Sequence, residues 1–266
     1  MAHQDPVDGF RWRSREVTRI EGFSDAVFGF ATTLLIISLE VPKTSTELLL
    51  AMRGFSAFVV TFVILAGIWY SQYTFFRRYG LEDRVTVVLN LVLLFTVLFF
   101  VYPLKFLFGV MVVDPTLNHL MVETAHGLEK AVLPEHRALI FLIFGAGFAA
   151  VFAVFLLLYR HAYAKADELG LNEFERYETQ HSIRRLWTSV SVGGMYFLIG
   201  GMNALPQKTP GQKRAVEIVG LVIMVLFVLV VIRMVRLRGE RRARKREWLA
   251  KSGPDAPPPQ NQPVQK

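Results

Sequence analysis

Residues 18–41 read TRIEGFSDAVFGFATTLLIISLEV, and the fold turns on how this stretch is read. Thr18 and Glu21 have the T-x-x-E spacing of a capping box, in which the Thr hydroxyl takes a free backbone N–H. A helix is therefore predicted to start there. From Arg19 to Leu39 it would rise roughly 30 Å at ~1.5 Å per residue, about one hydrocarbon core. Beyond Phe23 it carries a single charge, Asp25, until Glu40. A carboxylate two turns inside a membrane helix is costly and needs a reason to be there.

At ~100° per residue, Phe23, Phe30, Leu34 and Ile37 fall on one stripe, with Thr33 and Val27 beside it. Asp25 lies about 140° from Phe30 on this wheel, and Ser24 about 120° round the other way. The spacing predicts that Ser24 and Asp25 face other helices, while the stripe faces something else. Periodicity alone leaves open whether that is a pore, a neighbouring helix or lipid.

The whole chain has 266 residues, is 53% hydrophobic and still carries a net charge of +8, a balance that fits apolar spans with basic flanks. Residues 1–17 are polar, lack the apolar core of a cleaved signal peptide, and read as a cytosolic arm. Long apolar stretches follow near 20–40, 48–70, 85–109, 138–159, 186–205 and 214–235, so six spans are predicted. The second contains Arg53 near its start and ends in Trp69, Tyr70 and Tyr73, an aromatic belt. In the third, Asn90 needs a hydrogen-bond partner in lipid; Asp25 is the favoured one, its own backbone the alternative. Pro103 and Lys105 are read as the outer end of that span, where a Lys can snorkel.

The longest connection, 110–137, carries His119, Glu123 and His126, which would share a face if helical. Without a fourth ligand nearby, an interfacial amphipathic turn is expected there and no metal. Residues 160–185 read as a polar link continuing the fourth span as helix. Gly193, Gly194, Gly200 and Gly201 in the fifth span allow close helix approach. After the sixth, 18–238 being the membrane domain, comes a basic then Pro-rich tail, 239–266, expected to be disordered. Its Lys and Arg follow directly on a span, so they are assigned to the anionic inner leaflet and not to nucleic acid. Of the 30 Lys and Arg, 22 fall in the two ends and the links after the second and fourth spans. Both termini are therefore expected in the cytosol of a cell-membrane protein.

Enzyme chemistry is not evident. The chain has no Cys, no G-x-S-x-G elbow, no P-loop and no H-E-x-x-H. All six His lie outside the predicted span cores, so haem ligation is not expected, nor any other cofactor. A proton-coupled carrier would need buried carboxylates along a path; Asp25 qualifies, and Glu217 is a weaker case.

The run Arg19-x-x-x-Phe23-Ser24-Asp25, followed by Thr33-Leu34-Leu35 on the same helix, resembles the transmembrane protein 175 family of potassium-permeable channels. Trp69, Arg84, Asn90 and Pro103 extend the resemblance, which then fades. Family members often carry histidines just after the Trp, where this chain has Ser71 and Gln72. The resemblance implies an all-α integral membrane protein of six helices per chain, with the first helices of four identical subunits lining a central pore for potassium ions. It makes Arg19, Phe23, Ser24, Asp25 and Asn90 the structural anchor. Phe30, Leu34 and Ile37 would form a hydrophobic constriction, and Thr33 a hydroxyl layer. Phe30 departs from the Ile or Leu usual at the first constriction position. The alternatives are a proton-permeable channel or proton-coupled carrier of the same architecture, or a membrane scaffold with a basic tail.

Overall fold

The structure is a computed structural model that describes residues 10–14, 16–37, 44–113, 121–124, 127–133 and 136–204. Among the described residues five helices carry the fold: α1 (Arg19–Ile37), α2 (Ser45–Tyr79), α3 (Arg84–Val113), α4 (Arg137–Ala164) and α5 (Glu173–Ala204). The predicted sixth span with Glu217, the basic tail, His119 and His126 lie outside the described residues, as do the side chains of Ile37 and Arg53. Among the described residues, stretches long and apolar enough to cross a membrane occur in three helices, at Ala57–Tyr79, Arg84–Val110 and Arg137–Ala164.

Local chemistry sets the helix ends. At the start of α1 the capping box forms as its spacing predicts: the Glu21 N–H donates to Thr18 Oγ1 at 3.3 Å, and the Thr18 N–H to Glu21 Oε2 at 2.8 Å. A second box opens α5, where the Glu175 N–H donates to Asn172 Oδ1 at 2.8 Å and the Asn172 N–H to Glu175 Oε2 at 3.1 Å. Helix α2 stops at Gly80, whose φ of 59° is cheap only without a Cβ. Gly170, φ 57°, does the same work in the turn between α4 and α5.

The expected helical architecture holds, with a short antiparallel hairpin, β1 (Met121–Thr124) with β2 (Gly127–Lys130), in the connection between α3 and α4. Glu123 sits in β1 opposite Leu128, in a strand and not on the helical face its spacing would need. The third apolar span, Arg84–Val110, matches the expected 85–109 and has Pro103 and Lys105 in its outer part, while the helix itself reaches Val113.

Helix α1 packs on α2 and α3, α3 on α4, and α4 on α5 in the most extensive pair. Between helices in lipid there is little hydrophobic drive, so close packing and interhelical hydrogen bonds must fix the arrangement. The glycines of the fifth span serve this purpose selectively. A Cβ on Gly193 would stand 2.6 Å from the Ala149 backbone nitrogen, and one on Gly200 2.6 Å from that of Leu142. Gly194 faces open space.

Candidate ion pathway and the anchor of the first helix

Two faces divide α1. Glu21, Ser24, Phe28, Ala31 and Leu35, spaced alternately three and four, are buried against the rest of the chain. Phe23, Phe30 and Leu34 remain 53%, 59% and 40% exposed, Thr33 is exposed with them, and Val27 is half-buried at the edge. The Thr33 hydroxyl donates to the Gly29 carbonyl at 3.0 Å, which leaves its oxygen lone pairs outward on this stripe. Of the residues on the predicted stripe, Phe23, Phe30 and Leu34 are exposed, as is Ile36 at 51%, which lies off it.

The buried face carries a fully enclosed polar relay. Ser24 Oγ donates to the Ile20 carbonyl at 2.7 Å and accepts from Asn90 Nδ2 at 2.9 Å. Asn90 Oδ1 in turn accepts from Gln72 Nε2 at 2.6 Å. Ser24 and Asn90 are 0% exposed and Gln72 3%, so no water competes for these bonds. Asn90 therefore pairs with neither Asp25 nor its own backbone. One residue is ~100° of helix: Ser24 faces α3, while Asp25 is turned toward α2. There Asp25 Oδ1 accepts the indole N–H of Trp69 at 2.7 Å. The pair lines an open groove of about 340 Å³ between α1 and α2, off the Phe30 stripe. Gln72 is the anchor residue that sequence reasoning missed. Its signal is an amide at the end of an apolar run, the same argument that singled out Asn90.

Before the first turn of α1, residues 10–14 are strapped down. Phe10 is 1% exposed, edge-on to Tyr79 at 5.5 Å, and lies under the Arg78 guanidinium at 5.0 Å. Arg13 donates from its backbone to the Arg77 carbonyl at 2.9 Å and from Nε to the Leu169 carbonyl at 2.9 Å. Both Arg13 and Arg11 close on Glu175, at 2.7 and 3.0 Å to Oε2. Burial pushes the Glu175 carboxyl upward, but hydrogen bonds from Arg11 and Arg13, the Arg13 charge and the Asn172 N–H outweigh it. The group is held below its ordinary range. Arg77 stands 3.7 Å from the buried Glu21 of the capping box. Close by, Asp83 bonds His161 at 2.7 Å and Thr86 at 2.6 Å. Burial again works upward on Asp83, and the bonds from Thr86 and His161 overcome it, so its carboxyl is also lowered.

The opposite end of α1 is tied by a residue read from sequence as snorkelling. Lys105 Nζ instead donates to the Leu35 carbonyl at 3.1 Å. Of the remaining motif residues, Arg19 is exposed in the first turn of α1, and Arg84 is exposed at the start of α3. Among the described residues no three His, Asp or Glu gather to hold a metal ion.

Helices of this length and apolarity, with a sealed polar relay between them, define a multi-span helical membrane protein. Residues 19–100 match the family model described as the endosomal/lysosomal potassium channel TMEM175. A potassium channel of Marivirga tractuosa is 38% identical over 185 residues, covering 65% of this chain and 70% of that protein. One from Chamaesiphon minutus is 28% identical over 171 residues, 61% of this chain and 73% of the other. A crystal structure of a variant of the potassium channel MtTMEM175, bound to a nanobody–MBP fusion protein, superposes with a TM-score of 0.70. It is 31% identical and covers 90% of this chain and all of that one. The chain belongs to the TMEM175 family.

Proposed function

We propose that this chain is one subunit of a potassium-permeable cation channel whose pore is lined by α1 from several copies. The division of α1 carries the reading. Its polar face is spent inside the subunit, on Asn90 and Trp69, while Phe30, Thr33 and Leu34 remain exposed on the other side. One such helix per chain can enclose a path only by repetition about an axis, and closed ring symmetry is the economical solution. Four subunits fit the family. In this reading Phe30 and Leu34, with Ile37, form an apolar constriction that blocks by dewetting when closed, and Thr33 offers oxygen between them. Both ends face the cytosol of the cell membrane, with residues 1–17 as the arm, 18–238 as the channel domain and 239–266 as the tail. The gathering of Arg11, Arg13, Arg77 and Arg78 at one end of the bundle supports that orientation.

Purified protein in liposomes under a potassium gradient tests the proposal. Potassium flux without an imposed pH gradient is expected. Flux driven by a pH gradient alone would favour the proton-permeable alternative, and no flux of either kind would leave a scaffold.

A further inference from the structure

We infer that Arg77 on α2 is a positioning residue for the first helix, holding the Phe30 stripe at its closed spacing, an assignment that rests on the pore reading of α1. The Arg77 side chain is 9% exposed, and its Nε stands 3.7 Å from Oε1 of Glu21, whose side chain is 7% exposed. Buried opposite charges at that distance attract with little screening by water. The other oxygen of the Glu21 carboxylate takes the Thr18 N–H, so a pull on Glu21 is a pull on the first turn of α1. Arg77 also donates from Nη1 to the Glu16 carbonyl at 3.1 Å, and its own carbonyl accepts from the Arg13 N–H at 2.9 Å. One residue of α2 thus holds the chain at Arg13, Glu16 and Glu21.

The contact acts on a lever. Ser24 is pinned to Asn90 inside the subunit, with Glu21 three residues before it and Phe30 six residues after it. At ~1.5 Å per residue the two arms are roughly 4.5 and 9 Å, so a shift of Glu21 is about doubled, and reversed, at Phe30. Glu21 lies on the buried face and Phe30 on the exposed one. Attraction to Arg77 therefore draws the foot of α1 away from the path and swings the stripe toward it. A cavity of about 140 Å³ beside the contact, lined by Val17, Glu21, Gln72, Tyr73 and Arg77 among others, gives the foot room to move. Further along, the Leu35 carbonyl is bonded to the tip of Lys105, whose flexible four-carbon stem can follow such a shift.

Single-channel recording of the full chain in planar bilayers tests this with Glu21→Gln, Arg77→Gln, the double variant and Arg77→Lys. Gln serves in the capping box as Glu does, so Glu21→Gln removes the charge facing Arg77 and leaves the helix start intact. Open probability per channel should rise about threefold or more in each Gln variant. The double variant should match the single ones, as two residues acting through one contact must. Arg77→Lys, which keeps the charge, should stay near the wild type. A merely structural contact would lower thermal stability and leave open probability unchanged, and that outcome overturns the inference. So does a fall in open probability, or additive effects in the double variant. In each of these cases a conducting wild type leaves the channel reading standing, whereas absence of wild-type current removes both.

Discussion

Asn90 on α3 donates to Ser24 on α1 at 2.9 Å while accepting from Gln72 on α2 at 2.6 Å, so one buried amide ties three helices together. Leucine at this position would fill a similar volume but orphan two polar groups in a water-free site. Asn90→Leu should cost about 1–3 kcal/mol of stability. A double-mutant cycle with Ser24→Ala, read by thermal unfolding in detergent, should give a coupling of about 0.5–2 kcal/mol. Additive effects would show that the contact is incidental.

Asp25 has a different task from Ser24 beside it. Its bond to the Trp69 indole needs an acceptor and not a charge. Asp25→Asn should therefore assemble normally with unchanged potassium-over-sodium preference, while Asp25→Ala should lose about 1 kcal/mol. Altered selectivity in well-assembled Asn variants would put this carboxylate in the path.

Glu175 predicts an acid-sensitive strap. Its folded-state pKa lies below the ordinary 4.5, so the Arg11 and Arg13 contacts add stability above that value, lost as pH falls through the depressed one. Thermal stability of the wild type should decline below about pH 5. Glu175→Gln should be less stable at neutral pH, by about 3 kcal/mol, and flatter in acid. The lower part of the buried-pair range applies because Arg11, with its side chain 40% exposed, can return to water.

The neighbouring glycines of α5 should part company. Gly193→Ala forces a Cβ into the Ala149 backbone, which cannot yield as a flexible side chain would; about 1–3 kcal/mol should be lost. Gly194→Ala meets nothing within 4 Å and should be neutral or stabilising, since Ala is the better helix former. Equal melting temperatures for the two variants would contradict the observed α4–α5 packing.

What the sequence made legible was local. Thr18 and Glu21 lie three residues apart, so their reciprocal capping follows from spacing alone. The face that exposes Phe30 and Leu34 follows from ~100° per residue. Partners were less accessible: Asn90 was seen to need one, but Ser24 and Asp25 are adjacent, and only the packing decides which of them meets α3. The docking of Arg11 and Arg13 was missed because a basic arm normally reads as solvated. Its receptor, the Asn172-x-x-Glu175 box, was present as a motif, yet nothing local joins it to residues more than 150 positions away. For Lys105 the snorkelling habit of an interfacial Lys masked a specific carbonyl.

The central claim is that the Phe30 stripe faces an ion path, and polar substitution on it is the direct measurement. A closed apolar constriction works by excluding water, so an amide at the narrowest ring should wet it and raise leak. In liposomes, Phe30→Asn is expected to increase potassium and sodium flux together, with Leu34→Asn having a smaller effect. The reverse order would move the constriction one turn outward. Unaltered flux from both variants, in oligomers assembled as well as the wild type, would contradict the account.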